Sequence, residues 1–315
     1  MTNGKPRTKD NREGNGLTRV EAILPEILPV GLFDEVIRPE DVGYTHPVFL
    51  QCFMPVRHNV QNQELWQTDC GRASLLMRAG VLVNPLKRNS FKKCIVPAGP
   101  KARLISAYTN DYIHRYQTSL IPLGDSMRSA MERMNIRIGG ANGKELQREL
   151  ENFAAAEIIL GVWDVAGNAH QHRAPVSETM SFWIEKNPNQ QTFWQPEMTV
   201  SPQYFKAVTE RDMAPFHWPA LIGLQHNPRA MDIHAFLTYR MHKGLPRPVT
   251  LHAKVLHVMF GQGIKQAKHF WPRFTDALKT ALEWYPNCRV EILNDAIRLH
   301  DSPPLIPFRK VDRLK

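Results

Sequence analysis

The sequence predicts an α+β chain built twice on one plan, and three observations carry that prediction. Apolar residues recur at i, i+3, i+4 through two sets of three consecutive segments. Each set runs into short β-branched stretches broken by turn residues. Of the 315 residues 43% are hydrophobic, enough for one large or two medium packed cores.

Residues 1–45 are expected to be a disordered or irregular N-terminal arm. Met1 to Arg19 is rich in Lys, Arg, Asn and Gly and has too little apolar surface to offset the entropy of ordering. It is either a solubilising tail or a basic arm that touches phosphates. Leu17 to Val30 is expected as a short helix interrupted by Pro25 and Pro29. Val48 to Val56 is β-branched and aromatic and reads as a strand, and Leu75 to Val83 is a second apolar run broken by Gly80. Together they predict a small β element, closed by the Pro97 to Pro100 turn.

The first unit, residues 46–190 with that β element, then becomes helical. Ala102 to Arg115 aligns Leu104, Ile105, Tyr108, Tyr112 and Ile113 on one face. A short strand follows at Ser119 to Pro122. Asp125 or Ser126 caps a helix over Met127 to Met134, its side-chain oxygen accepting from an orphan N–H. After the turn from Ile138 to Gly143, a third helix over Lys144 to Ala156 groups Leu146, Leu150 and Phe153. Two strands, near Glu157 to Trp163 and Glu178 to Lys186, are expected to pair as a hairpin, with a polar loop between them carrying His170 and His172.

The second unit, residues 191–305, repeats the order and joins the first through Thr192 to Leu224. Pro228 to Lys243 is its first helix, carrying Met231, Ile233, Phe236, Leu237 and Arg240. Thr250 opens the second, His252 to Phe260. Gly261-Gln262-Gly263 makes the turn, and Ile264 to Trp284 is the third helix, with Pro272 as a kink point. A hairpin follows, Arg289 to Leu293 and Ala296 to His300, turning at Asn294-Asp295. Helix, strand, helix, turn, helix and hairpin is the order of a winged helix, so the expected fold is two tandem winged-helix domains. Residues 306–315 form a basic tail, a second phosphate-seeking arm or a solvated end.

Charge and cysteine content bound the function. Lys and Arg number 40 against 30 Asp and Glu, a formal net charge of +10 with a pI near 9.5, which favours a polyanionic partner. No apolar run approaches the roughly 20 residues a bilayer span needs, and no apolar secretory segment stands near Met1. Cys52, Cys70, Cys94 and Cys288 form no C-x-x-C pair and are expected as reduced, mostly buried thiols of a cytoplasmic protein. No membrane partner, metal or other cofactor is expected.

The binding chemistry is expected at two helix starts. Lys265, Gln266, Lys268, His269 and Arg273 gather at the beginning of the third helix of the second unit. The N-terminal residues of a recognition helix meet base edges, Gln pairs with adenine and Lys with guanine, and phosphate favours the positive end of the helix dipole. Phe270, Phe274, Ala277 and Leu278 face the core. In the first unit the equivalent residues are Lys144, Gln147 and Arg148. Glu145, Glu149 and Glu151 lie in the same helix, so either they point elsewhere or that helix is the weaker reader.

A nicking enzyme is the rival. His170-Gln171-His172 and the tyrosines Tyr108, Tyr112 and Tyr116 sketch the metal site and nucleophiles of an HUH rolling-circle initiator. Three features oppose it: the polar Gln171 between the histidines, the tyrosines preceding them, and their place in a polar loop. The tyrosine stripe is more simply a core face. No Walker-type phosphate loop and no G-x-S-x-G is present, so the expected chain is not an enzyme. A repressor that binds DNA and starts nothing would need the same fold.

Several stretches look like one family. Phe53-Met54-Pro55, Pro100-Lys101-Ala102-Arg103-Leu104-Ile105, Ile121-Pro122-Leu123-Gly124-Asp125-Ser126-Met127, Gly139-Gly140, Ser201-Pro202-Gln203-Tyr204-Phe205, the run from Pro228 to Arg240, and Leu299-His300-Asp301-Ser302-Pro303-Pro304 resemble the plasmid-encoded RepA replication initiators of proteobacterial plasmids. The resemblance spans roughly residues 46–305. It departs after the Gly-Gly turn, where relatives carry more aromatic or basic residues than Ala141-Asn142-Gly143-Lys144-Glu145. It implies a non-enzymatic initiator that binds double-stranded origin repeats (iterons), recruits host replication proteins such as the helicase or its loader, and alternates between a homodimer and a monomer. The Val48 to Val83 region is a candidate dimer surface.

Overall fold

The computed structural model describes residues 37–58, 62–84, 87–164, 166–181, 197–210, 213–264 and 266–307. The expected helix over Leu17 to Val30, the arm before residue 37 and the tail from residue 308 lie outside the described residues, as does Lys265. In chain order the strands and helices are β1 (Val42–Thr45), β2 (Leu65–Cys70), β3 (Ala73–Arg78), β4 (Val81–Val83), β5 (Phe91–Lys93), α1 (Gly99–Tyr116), β6 (Leu120–Pro122), α2 (Met127–Arg133), α3 (Gly140–Ala155), β7 (Glu157–Trp163), β8 (Ala169–Pro175), β9 (Ser177–Met180) and β10 (Glu197–Val200). They continue as α4 (Pro202–Thr209), β11 (Ala214–His217), α5 (Trp218–Gly223), α6 (Pro228–His242), β12 (Val249–His252), α7 (Ala253–Phe260), α8 (Ala267–Leu282), β13 (Val290–Ile292) and β14 (Ala296–Leu299). The class is α+β, as expected.

The two units share a sheet topology. One three-stranded sheet has the order β6-β10-β9 and the other β12-β14-β13. In both, the strand between the first and second helices pairs antiparallel with the last strand of its sheet: β6 with β10, which at Glu197–Val200 lies beyond the expected first-unit boundary at residue 190, and β12 with β14. The helices of the second unit follow the apolar spacing closely. Phe270, Phe274, Ala277, Leu278 and Ala281 form the buried face of α8, and the helix runs through Pro272. In the first unit Ser126 is the cap of α2, its Oγ accepting from the Ser129 N–H at 3.1 Å.

Five expectations need correction. Val48 to Val56 is not a strand. A 3-10 turn over Pro47–Leu50 starts it, and the carbonyls of Phe53, Met54 and Pro55 accept from the side chains of Trp66 and Arg103 instead of a ladder. Within the arm expected to be irregular, Val42–Thr45 is the strand β1, paired with β11. The first unit's hairpin is not β7 with the strand near Glu178. β7 lies between β3 and β8 in a four-stranded sheet ordered β2-β3-β7-β8, where Ile158 and Leu160 stand opposite Met77 and Leu75, all four buried. The pairing near Glu178 is β9 with β10. His170 and His172 therefore sit in strand β8, not in a loop. Finally, Thr250 belongs to β12, and α7 begins at Ala253.

One hydrophobic core runs through both units, from Leu104, Ile105, Leu146 and Phe153 to Met231, Phe260, Phe270 and Phe274. At its centre a buried ion pair joins α1 to α6. Arg103 Nε and Nη2 donate to the two carboxylate oxygens of Asp232, each at 2.6 Å. Nη1 and Nη2 also donate to the carbonyls of Pro55, Gly99 and Met54. Such a pair tolerates burial because geometry and additional hydrogen bonds satisfy both charges.

Candidate nucleic-acid interface

The second unit presents α8 on a clamped turn. Arg229 of α6 donates from Nε to the Phe260 carbonyl at 2.8 Å and from Nη2 to the Gln262 carbonyl at 3.3 Å. His257 Nε2 lies 2.8 Å from the Ile264 carbonyl. A Cβ at Gly261 would stand 1.9 Å from the His257 ring, and Gly263 has φ +75°, so this turn needs glycine at both positions. Aromatic rings of Phe260, Phe270 and Phe274, packed at tilted angles, underlie the helix start.

On that support Gln266, Lys268, His269 and Arg273 are all exposed. The structure brings these four expected residues together on the outward side of α8, while Phe270 and Phe274 point inward. The first turn of α8 holds no acidic residue, so the unpaired N–H groups of the helix end add to the positive potential. Asp276 and Glu283 lie farther along the exposed side. Lys254, in the first turn of α7, is also exposed; nothing in its sequence surroundings separates it from any other surface lysine.

In the first unit the start of α3 is equally open. Gly140, Ala141, Lys144 and Arg148 are exposed and Gln147 is half-buried. The acidic residues of this helix do point elsewhere. Lys101 Nζ donates to Glu145 at 2.6 Å, Lys92 pairs with Glu151, and Glu149 is buried against His58 at 2.7 Å and the Ala98 N–H at 3.0 Å. Burial pushes the Glu149 carboxyl up, but the hydrogen bonds from His58, Ala98 and Arg148 outweigh it and hold the group below the usual carboxylate range. Two of the expected contact residues are partly engaged in this network: Arg148 Nε donates to Glu149 at 3.0 Å and Gln147 Nε2 to Glu151 at 3.3 Å. Lys144 has no ion-pair partner among the described residues. Arg137, exposed just before the Gly-Gly turn, is a cation that helix-start reasoning passed over.

The residues of the rival reading are placed differently. His172 Nδ1 is 3.8 Å from Glu210, and no group of three or more His, Cys, Asp or Glu among the described residues is arranged to hold a metal ion. The tyrosine stripe is only partly a core face. Tyr108 and Tyr112 pack against the core, but Tyr116 is exposed, and the three line an open groove of about 740 Å³ with Arg133, Trp218 and Trp284. Among the described residues no helix is long and apolar enough to cross a membrane.

Residues 102–247 match the family described as plasmid encoded RepA protein. That range contains the stretches from Ala102 to Arg240 on which the resemblance rests. Phe53-Met54-Pro55, Pro100-Lys101 and Leu299 to Pro304 fall outside it. No curated protein matches the chain. Two crystal structures of RctB align with it at 11% identity. The SeMet derivative of domains 2 and 3 covers 81% of this chain and 98% of its own, with a TM-score of 0.48. A second structure of RctB domains 2-3 covers 80% and 94%, with a TM-score of 0.47.

Proposed function

We propose that this chain, which matches the plasmid-encoded RepA family over residues 102–247, initiates plasmid replication by binding repeated duplex sites at an origin. The reading has two winged-helix domains, residues 46–190 and 191–305, each offering a helix start to the major groove. α8 is the stronger reader. Gln266, Lys268, His269 and Arg273 supply donors for base edges and phosphates, and Lys265, next to Gln266 in the sequence, is a further contact of this reading. α3 contributes Lys144, with Gln147 and Arg148 as secondary contacts. Arg137 and Lys254 are suited to phosphates flanking each groove. Host replication proteins and a second copy of the chain are the further partners of this reading, in the cytoplasm.

The observation that carries it is the exposed cationic edge of α8, held on a turn that α6 clamps through Arg229. Pre-organisation of this kind favours specific binding, because little ordering cost remains to be met at the interface. Fluorescence anisotropy with the plasmid's own origin repeats against scrambled duplex tests it. The expected result is tighter binding to the repeats, and Lys268→Ala is expected to weaken repeat binding by about 1–3 kcal/mol, roughly 5- to 150-fold. Equal affinity for both duplexes would remove the reading.

A further inference from the structure

The ribbon of β4 and β5 takes no part in the interface described above. Its register sets Val81 opposite Lys93, Leu82 opposite Lys92 and Val83 opposite Phe91. Alternation therefore places Val81, Val83, Phe91 and Lys93 on one face and Leu82 and Lys92 on the other. The inner face is anchored to α3: Lys92 pairs with Glu151, and the Ile95 N–H donates to Asn152 Oδ1 at 3.1 Å. The outer face is open. Val81 is 58% exposed, Val83 63% and Phe91 74%, and Lys87, Arg88 and Lys93 are exposed beside them.

Among the described residues, the charge on the ribbon's open side is uncompensated. No acidic residue occurs between Asp69 and Asp111. Neighbouring cations find carboxylates from other segments: Arg78 with Glu157, Lys92 with Glu151, Lys101 with Glu145, Arg103 with Asp232. Lys87, Arg88 and Lys93 have none among the described residues. Three like charges held on one short ribbon favour a polyanion. A second copy seated on the same patch would set three more cations against them, which disfavours self-association there.

We propose that the β4–β5 ribbon is an additional duplex-DNA contact, sequence-independent, in which Lys87, Arg88 and Lys93 bind phosphates while Phe91 and Val83 pack against the groove wall. Cations flanking an exposed apolar side chain are the equipment of proteins that lean into a groove without reading bases. The proposal rests on the DNA-binding reading above and extends it to DNA outside the repeat. From Gly140 to the ribbon's anchor at Glu151, α3 rises about 16 Å, so the ribbon addresses phosphates beyond the groove that the start of α3 enters.

The test uses the full chain and measures log K against log salt on three duplexes: the repeat alone, the repeat with flanks of arbitrary sequence, and a scrambled duplex of the flanked length. Lys87→Ala/Arg88→Ala/Lys93→Ala is expected to lower the slope on both long duplexes by roughly 2.7, three phosphates at about 0.9 each, and to leave the short duplex unchanged. Lys87→Arg/Lys93→Arg keeps the wild-type slope. Phe91→Ala keeps the slope and weakens binding to the flanked duplex severalfold. Identical slopes for wild type and triple variant on the long duplexes overturn the proposal, as does a triple variant that changes only the sedimentation coefficient, which would mean that a second copy covers the ribbon. Wild type that treats repeat and scrambled DNA alike removes the specific reading instead, and the slope comparison on scrambled DNA still decides the ribbon.

Discussion

At the scale of single residues, burial decides which ionisable groups resist protonation. His234 is buried in α6, with its Nε2 at 3.4 Å from the Trp284 carbonyl. Burial, reinforced by the neighbouring His217, pushes its pKa down from 6.5 to about 3, against the smaller opposing pull of that carbonyl. The folded chain therefore holds this imidazole neutral at pH values where the unfolded chain protonates it. Its contribution to stability is complete above pH 6.5 and is lost progressively as pH falls from 6.5 towards 3. Urea titrations are expected to show stability falling across that window, with His234 alone supplying a slope of up to about 1.4 kcal/mol per pH unit. His234→Asn should flatten that part of the profile; an unchanged slope would assign the acid sensitivity to other groups. Glu149 acts in a lower window, below its ordinary value of 4.5, because its pKa is held down in the folded chain.

At the scale of elements, helices and the β13–β14 hairpin were legible, and long-range strand partners were not. Apolar spacing located α6 almost to its ends and identified the buried face of α8, because a helix satisfies its backbone locally and needs one apolar stripe. A strand needs a partner that the local sequence does not name. β7 alternates Ile158 and Leu160 inward, a pattern that fits any half-buried neighbour, and the partner it found was β3 from far upstream. The helix-start residues Gln266, Lys268, His269 and Arg273 were legible for the same local reason, whereas the pairing of Glu145, Glu149 and Glu151 depended on Lys101, His58 and Lys92 arriving from elsewhere. Gly80 shows such a long-range constraint at one position. A Cβ there would lie 2.0 Å from the Ala155 carbonyl oxygen, because the chain between β3 and β4 crosses the end of α3 against its backbone. Gly80→Ala must displace either the helix end or the ribbon, and is expected to cost on the order of 1–3 kcal/mol of stability, read by urea denaturation. A cost near zero would mean that the two segments separate freely.

At the scale of the molecule, the repeated architecture does not imply independent folding. The same core passes through both units, and Arg103 from the first unit and Asp232 from the second satisfy each other in its interior. Separation of the units would leave both charges buried and unpaired or exposed with their surrounding apolar surface, so one cooperative transition is expected. The four cysteines report on it. Cys52 and Cys70 lie in the first unit and Cys288 in the second; burial raises all their thiol pKa values, to about 11 for Cys70 and about 12 for Cys288. Native thiols should therefore resist alkylation at neutral pH, since the thiolate is the nucleophile. Under rising urea, pulse alkylation read by peptide mass should label Cys52 and Cys288 at one shared midpoint. Arg103→Ala, which strands Asp232, should lower that midpoint for both sites together, by a stability loss of about 3–5 kcal/mol. Labelling of Cys52 at a urea concentration where Cys288 stays protected would show two folding units joined by a contact, and would make the Arg103–Asp232 pair an interface between domains and not the centre of one core.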